Sequence, residues 1–382
     1  MPDSNPRSCR YRIAMVSDWY YPRVGGIEYA IDALARHLQG LGHELRVFSR
    51  RYPGAAAEEQ TGGLAIARLA CPGLGDRCLS PASVAALKQH LKAGGYDVVH
   101  AHGLDSPLAW AALRIARRAG IPAVMTSHSL LGARALRVLL RPVLAPLLGQ
   151  TRTVIGVSRA VALEARALGA AQTIHIPNGV DGHSPNGALS PLALERSGRT
   201  VIATVARMHR RKRVDECVDV AIGLLAGDRK LLFVMVGGGP LLQPLRRKVA
   251  ALGLAEHFVF TGNVSRATVL HLLSQSDIFV SPSPREAFGI AVLEAFQQRV
   301  PVVARASSGV AELVEHGRTG LLAGDAAGLQ AAIAALIAQP QERERLAGAA
   351  HRELQRYSWP EIAEKTEQVY ARAIAETRGL DG

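Results

Sequence analysis

The sequence predicts an α/β protein built as two similar halves, each a largely parallel sheet with helices on both faces. Three observations carry this. Short apolar, β-branched runs alternate with helical stretches along most of the 382 residues, and continuous apolar strands between helices belong to parallel sheets buried on both sides. The alternation stops in a stretch rich in Pro, Gly and Ser at 182–199, GHSPNGALSPLALERSGR, and then restarts. The length exceeds what one hydrophobic core ordinarily serves, so two domains are the default. The expected division is 1–185 and 186–359, with a last helix at 360–382 crossing back onto the first domain.

In the first half, RIAMVS (12–17) reads as a strand, Gly26–Leu41 as a helix and ELRVFS (44–49) as a second strand. DVVHAH, AVMTSH and TVIGVS continue the series, with helices around 106–119 and 159–168. In the second half, TVIATVAR, KLLFVMVGG, HFVFTG, DIFVSPS and PVVARA give five strands. From Pro340 the chain reads as helical to about Thr377, with a break at Tyr357–Pro360. Ligands of such sheets bind beyond the carboxyl ends of the strands, which places the expected site in a cleft that the two halves face.

Composition narrows the function. Cys9, Cys71, Cys78 and Cys217 show no metal-ligand or CxxC spacing, so neither a disulfide framework nor a zinc site is expected and a reducing cytoplasm fits. No signal-peptide core and no run of eighteen apolar residues occurs. The net charge of +13 is unevenly spread: no acidic residue lies between Asp105 and Glu164, where eight arginines fall. Within that block Arg134, Arg137 and Arg141 recur at helical spacing on one face with leucines on the others. That face suits either an anionic lipid surface or plain solvation. Nucleic acid is disfavoured, because the block lacks interleaved aromatics and any binding motif.

The most informative residues are Glu286 and Glu294, in SPSPREAFGIAVLEAF. At a helix's rise per residue, eight steps set them about 12 Å apart, roughly the reach of a hexose plus a diphosphate. Hydrolase carboxylates that share a glycosidic bond sit about 5 to 9.5 Å apart, so the pair suggests two clamps on an extended ligand. The alternatives are an acid at a helix start for Glu286 and a structural salt bridge for Glu294, which lies in an apolar stretch. Arg207 ends the first strand of the second half and Lys212 follows it, two cations able to neutralise a diphosphate or to form a solvated basic turn. Gly25 and Gly26 open a helix after the first strand, where they serve either phosphate or a turn of positive φ. His102 ends a first-half strand, and VGGGP (236–240) ends a second-half one. No Asp-x-Asp occurs, so paired aspartates holding a metal for a nucleotide diphosphate are not expected.

With these residues in order, from YRIAMVSDWYYPRVGGIE through IPNGVD and ATVARMHRRKR to EAFGIAVLEAF, the chain resembles the family 4 glycosyltransferases, retaining enzymes of GT-B architecture that use nucleotide sugars. DWYYPRVGGIE, TSHSLLG and REAFGIAVLEA are most similar to the catalytic subunit that adds N-acetylglucosamine to phosphatidylinositol. The resemblance implies that Arg207 and Lys212 grip the donor diphosphate with backbone from Gly25 and Gly26. It implies that Glu294 holds the ribose, that Glu286 contacts the sugar, and that Phe288, Gly289, Ile290 and Ala291 line sugar and phosphate. His102 would lie near the anomeric centre, Asn263 and Val264 near the base, and His128 with Arg134, Arg137 and Arg141 on the acceptor or membrane side. Ala287, Arg299 and Ser308 depart from the family pattern, which has glycines there; Ala287 is shared with the phosphatidylinositol branch.

The function expected is therefore metal-independent, retaining transfer of a hexose or N-acetylhexosamine. The donor is a nucleotide sugar acting as co-substrate, with no cofactor, UDP-GlcNAc favoured and GDP-mannose the other choice. The acceptor is lipid-linked and lies at the cytoplasmic membrane face. A dinucleotide-dependent oxidoreductase is disfavoured, since DWYYPRVGGIE lacks the GxGxxG turn and FSRR stands where an acid would end the second strand. A non-catalytic sugar-nucleotide or phosphoinositide binding module is the third reading.

Overall fold

The computed structural model describes residues 10–71, 77–78, 80–131, 134–181, 193–306 and 309–379, without the side chains of residues 134 and 135. Cys9, Ser308, most of the proline-rich stretch after 181, and residues 380–382 of the expected last helix lie outside these residues. The chain divides into two compact units, one of Met1–Gly179 with Trp359–Gly382 and one of Val180–Ser358.

Unit 1 runs β1 (Arg12–Val16), α1 (Gly26–Gly40), β2 (Glu44–Arg50), β3 (Glu58–Thr61), β4 (Leu64–Leu69), α2 (Pro81–Ala93), β5 (Val98–His102), α3 (Pro107–Arg118), β6 (Ala123–Ser127), α4 (Arg134–Leu148), β7 (Thr153–Gly156), α5 (Arg159–Ala167) and β8 (Thr173–His175). Its sheet has the order β3-β4-β2-β1-β5-β6-β7-β8. All pairings are parallel except β3 with β4. The hairpin β3–β4 turns at Gly62 and Gly63, both with positive φ, a conformation glycine adopts without penalty. Ser106 and Ser158 cap α3 and α5, each hydroxyl accepting a hydrogen bond from a backbone N–H three residues on.

Unit 2 runs β9 (Thr200–Val205), α6 (Val214–Leu225), β10 (Leu231–Val236), α7 (Leu242–Ala251), β11 (Phe258–Gly262), α8 (Arg266–Ser274), β12 (Ile278–Ser281), α9 (Ile290–Gln297), β13 (Val302–Arg305), β14 (Leu321–Ala323), α10 (Ala326–Ala338) and α11 (Pro340–Glu353). Its sheet, β11-β10-β9-β12-β13-β14, is wholly parallel. Strands β9 and β10 are continuous apolar runs with nearly every side chain buried, as a sheet covered on both faces requires.

The chain then enters α12 (Trp359–Arg378), which belongs to unit 1. Ile362, Thr366, Val369, Tyr370, Ala373 and Ile374 are buried at helical spacing, and the helix packs on α1, β5 and β6. Trp359 Nε1 donates to Tyr29 Oη at 2.9 Å, and a Cβ at Gly179 would stand 2.6 Å from the Trp359 ring. The interruption before this helix falls at Leu354–Ser358 instead of Tyr357–Pro360. Pro360 already lies in the first turn, where its missing N–H costs nothing.

One expectation fails outright. Cys71 and Cys78 are joined by a disulfide, so the four cysteines are not all thiols, while Cys217 is free and buried. Spacing alone does not reveal this, because the approach of the two Cα atoms to 5.5 Å is set by the fold and not by their separation along the chain. Among the described residues no helix is long and apolar enough to cross a membrane.

Candidate functional site

Each sheet has one strand from which the chain departs in both directions. In unit 2 it is β9, flanked by β10 and β12; in unit 1 it is β1, flanked by β2 and β5. The crevice at the carboxyl ends of such strands is where open α/β sheets bind ligands. Arg207 and Lys212 follow β9 and Glu286 follows β12; Gly25 and Gly26 follow β1, and His102 ends β5.

In unit 2, Arg207 is exposed two residues beyond β9. Glycines fix its backbone from both sides. Gly237 and Gly239 have φ of 128° and 148°, and a Cβ on them would come within 2.1 Å of Ala206 O and 2.5 Å of Met208 O. Met208 N donates to Gly238 O at 2.9 Å. Asn263, exposed, accepts from Gly238 N through Oδ1 at 2.8 Å, with the half-buried Val264 beside it. VGGGP and Asn263, separate signals in the sequence, thus form one support beneath Arg207. Lys212 closes a single 3-10 turn, Arg210–Lys212, capped by His209. Its Nζ lies 2.6 Å from Glu286 Oε2 in a partly exposed ion pair.

Glu286 does not ride the helix that holds Glu294. Helix α9 begins at Ile290, and Gly289, in the left-handed region at φ 102°, turns the chain into it. The 12 Å helical rise therefore does not apply. Phe288 is buried and meets the Tyr357 ring edge-on, with centroids 6.1 Å apart. Ile290 and Ala291 open the helix, where first-turn N–H groups have no intrahelical partner and the dipole is positive. Gly309, which the sequence reading missed, donates to Glu286 O at 3.1 Å, and a Cβ there would sit 2.2 Å from Ala287 O. The lone glycine of SSGV was its only signal.

Glu294 is buried, and its Oε1 accepts from Arg266 Nε at 2.9 Å; Arg266 Nη1 donates to Asp181 Oδ2 at 3.0 Å. The salt bridge left open by the sequence is present, and Arg266 was not anticipated. Burial raises the Glu294 carboxyl above the usual range while the Arg266 charge and hydrogen bond pull it back.

In unit 1, the turn after β1 is held by Asp18, also unanticipated. This buried carboxylate accepts from Ser106 Oγ at 2.6 Å, Cys78 N at 2.6 Å and Leu108 N at 3.2 Å, tying the loops after β1 and β5 together. Gly25 has φ 179°, extended backbone open to any residue, so positive φ is not why glycine stands there. Space is the reason: a Cβ would lie 2.6 Å from Oε2 of Glu28, which is fully buried and paired with Arg23.

His102 is buried at the end of β5. Its ring lies 4.0 Å from that of His100, and its Nδ1 is 3.1 Å from His128 Nε2. His100 in turn meets Tyr370 Oη at 2.6 Å and Thr126 Oγ1 at 2.7 Å. Burial pushes the imidazoles down, His100 to about 3 and His128 to about 4, and His102 well below its ordinary value, with the neighbouring histidines adding to the effect. All three are neutral at pH 7. In the neutral pair one ring donates to the other, so of the outer nitrogens, His102 Nε2 and His128 Nδ1, one carries a proton and the other a lone pair. The structure thus places His128 against His102, at the end of the adjacent strand.

Helix α4 inverts its predicted orientation. Leu144 and Leu148 are buried, as expected of leucines. Arg137, however, is drawn to the buried Glu164 at 3.5 Å, and the outward face carries Val138, Leu139 and Val143. Arg141 is exposed at its edge, and the Arg134 side chain lies outside the described residues.

The Glycosyltransferase Family 4 profile matches residues 24–183 and the Glycosyl transferases group 1 profile residues 192–353. The phosphatidyl-myo-inositol mannosyltransferase of Mycobacterium leprae is 29% identical over 94% of this chain and 96% of its own length. The phosphatidylinositol N-acetylglucosaminyltransferase gpi3 subunit of Schizosaccharomyces pombe is 26% identical over 93% and 79%. Among solved structures, sucrose-phosphate synthase from Thermosynechococcus elongatus superposes with a TM-score of 0.79 at 22% identity, covering 96% of this chain and 100% of that one. Anabaena Alr3699/HepE in complex with UDP and glucose gives 0.79 at 21%, covering 95% and 100%. The chain belongs to the family 4 and group 1 glycosyltransferases and is a glycosyltransferase of GT-B architecture.

Proposed function

We propose that the protein transfers a hexose or N-acetylhexosamine from a nucleotide diphosphate sugar to a lipid-linked acceptor, with retention of configuration and without a metal ion. The observation that carries this is the Lys212–Glu286 ion pair, which joins the segments that follow β9 and β12, with Arg207 two residues beyond β9. In this reading Lys212 and Arg207 hold the donor diphosphate, and Glu286, with the helix start at Phe288–Ala291, meets the sugar. The pair suits the task because Lys212 is half-exposed and exchanges a carboxylate for phosphate without crossing a dry interior. As the bond to the leaving diphosphate breaks, charge grows on its oxygens, and the two cations stabilise it most in the transition state. The acceptor hydroxyl attacks from the face the diphosphate leaves, and a phosphate oxygen takes its proton. No carboxylate nucleophile is needed.

Glu294 as ribose ligand belongs to the same proposal, with one of its oxygens already on Arg266. Roles for Gly25, Gly26 and His102 towards donor and sugar are supported by their place at the switch point of the first sheet. The neutral His102–His128 pair offers one donor and one acceptor to hydroxyl groups. Metal independence is supported by the lack of an Asp-x-Asp sequence, and turnover in EDTA tests it.

The names of relatives with different sugars share phosphatidylinositol or its inositol form, which supports an inositol phospholipid acceptor at the cytoplasmic face of an anionic membrane. Ala287 and the match to the N-acetylglucosaminyl enzyme favour UDP-GlcNAc over GDP-mannose. Incubating the protein with each donor and phosphatidylinositol, then weighing the lipid by mass spectrometry, should show one N-acetylhexosamine or one hexose added. Neither mass increment nor nucleotide release with any donor and lipid would reject the proposal.

A further inference from the structure

We propose that Tyr370 and His100 are positioning residues: Tyr370, reaching β5 from α12, locks the His100 ring, and that ring holds His102 in line with His128 for the hydroxyl group the pair binds. His100 has no rotational freedom left. Its Nδ1 lies 2.6 Å from Tyr370 Oη and its Nε2 lies 2.7 Å from Thr126 Oγ1, so turning the ring over would break two bonds in the buried interior. The protons follow from the partners. Neutral imidazole carries one N–H and one lone pair, and burial keeps the Tyr370 hydroxyl protonated; a phenol is a stronger donor than an alcohol. Tyr370 therefore donates to Nδ1, and Nε2–H donates to Thr126.

His102 leans on this fixed ring, with centroids 4.0 Å apart and planes inclined by 35°. Its own side-chain bond is the 3.1 Å contact between its Nδ1 and His128 Nε2. One bond lets a ring rock about its axis, and close packing against His100 removes that motion. The outer nitrogens, His102 Nε2 and His128 Nδ1, are buried without a hydrogen-bond partner. Orphaned groups of this kind are rare in a folded interior, and two on facing rings suit an external hydroxyl that gives one hydrogen bond and takes another. Such a site depends on its spacing, since a displacement of about 1 Å can cost about a hundredfold in rate. Packing alone does not explain Tyr370. Phenylalanine would fill the same space between α12 and β5 without a hydroxyl that needs a partner. This inference rests on the reading that His102 faces the sugar or acceptor, and its test separates the two.

Tyr370→Phe keeps the ring and removes only the bond to His100. Imidazole nitrogen resonances, read by NMR in full-length protein isotope-labelled at histidine and assigned by single histidine substitutions, should shift for both His100 and His102. Thr126→Val, which breaks the other bond of His100, should shift the same resonances. With UDP-GlcNAc and phosphatidylinositol, Tyr370→Phe should lower kcat about tenfold while the donor KM stays within about twofold. In a His102→Ala background the same change should cost nothing further, because no ring is left to position. His102 resonances that stay in place in both variants overturn the inference, and so does a loss of kcat that is equal with and without His102. Wild-type turnover of His102→Ala instead rejects the sugar-facing reading; shifted His102 resonances would then still uphold the locking of its ring by Tyr370 and His100.

Discussion

The two sheets place their candidate residues after topologically equivalent strands but use opposite materials. In β5 and just past β6, unit 1 buries three imidazoles that meet one another, a tyrosine and a threonine, and all three imidazoles are neutral. After β9 and β12, unit 2 leaves Arg207 exposed and pairs Lys212 with Glu286 where water reaches both. An uncharged, dry cluster orients hydroxyls and resists protonation; an ion pair in contact with water can exchange partners. Under the proposed function, gripping the diphosphate falls to unit 2, and unit 1 meets neutral sugar or acceptor groups.

The largest stability effect should come from the one candidate in unit 2 that breaks this pattern. Glu294 is buried with Arg266, and removing one half of a buried ion pair costs about 3–5 kcal/mol. Glu294→Ala should lower the urea midpoint accordingly. Glu286→Ala, which opens a partly exposed pair, should cost at most about 1 kcal/mol. Equal losses in the two variants would erase the distinction.

Acid should separate the units with opposite signs. His100 and His128 titrate near 3 and 4 in the folded chain, against about 6.5 unfolded. The unfolded chain therefore binds more protons below pH 6.5, and stability present above that pH is lost as the pH falls towards 4, by about 1.4 kcal/mol per unit for each histidine. The Glu294 carboxyl is raised instead, so its contribution is lost as pH rises and regained on acidification. Hydrogen exchange compared at pH 7.5 and 5, after correction for intrinsic rates, should show β5 and β6 losing protection while α9 does not. Uniform loss across both units would contradict this.

Much of the fold was legible because buried parallel strands are continuous apolar runs: RIAMV, VVHAH, TVIATV and LLFVMV are strands to within a residue or two of their expected ends. The strands that escaped notice lie at or next to the sheet edges, and all but the six-residue β4 are short. β3 is exposed throughout as EEQT, and β8 and β14 have three residues each. Arg207, Lys212 and Glu286 were visible because they lie in the segments that follow strands. Arg266, Asp18, Gly309 and the His100–Tyr370 contact were not, since their meaning depends on partners brought together by the tertiary fold, 270 residues away for Tyr370. Periodicity in α4 told which residues share a face, but Glu164, 27 positions beyond Arg137, decides which way that face points.

The smallest effect concerns a departure from the family pattern that now has a physical reason. Arg299, just past α9, sits at φ 56°, the left-handed conformation that favours glycine after a helix. Arg299→Gly should raise stability by about 1 kcal/mol, less the flexibility it adds to the unfolded chain; a fall in melting temperature would show that the arginine makes a compensating contact.

The most direct test of the central assignment is the effect of Lys212→Ala on both turnover and donor affinity. Loss of a cation that acts mainly in the transition state should lower kcat by about a hundred- to a thousandfold, with donor affinity measured by calorimetry falling far less and the melting temperature nearly unchanged. Turnover within a few fold of wild type would contradict the account and place the diphosphate elsewhere.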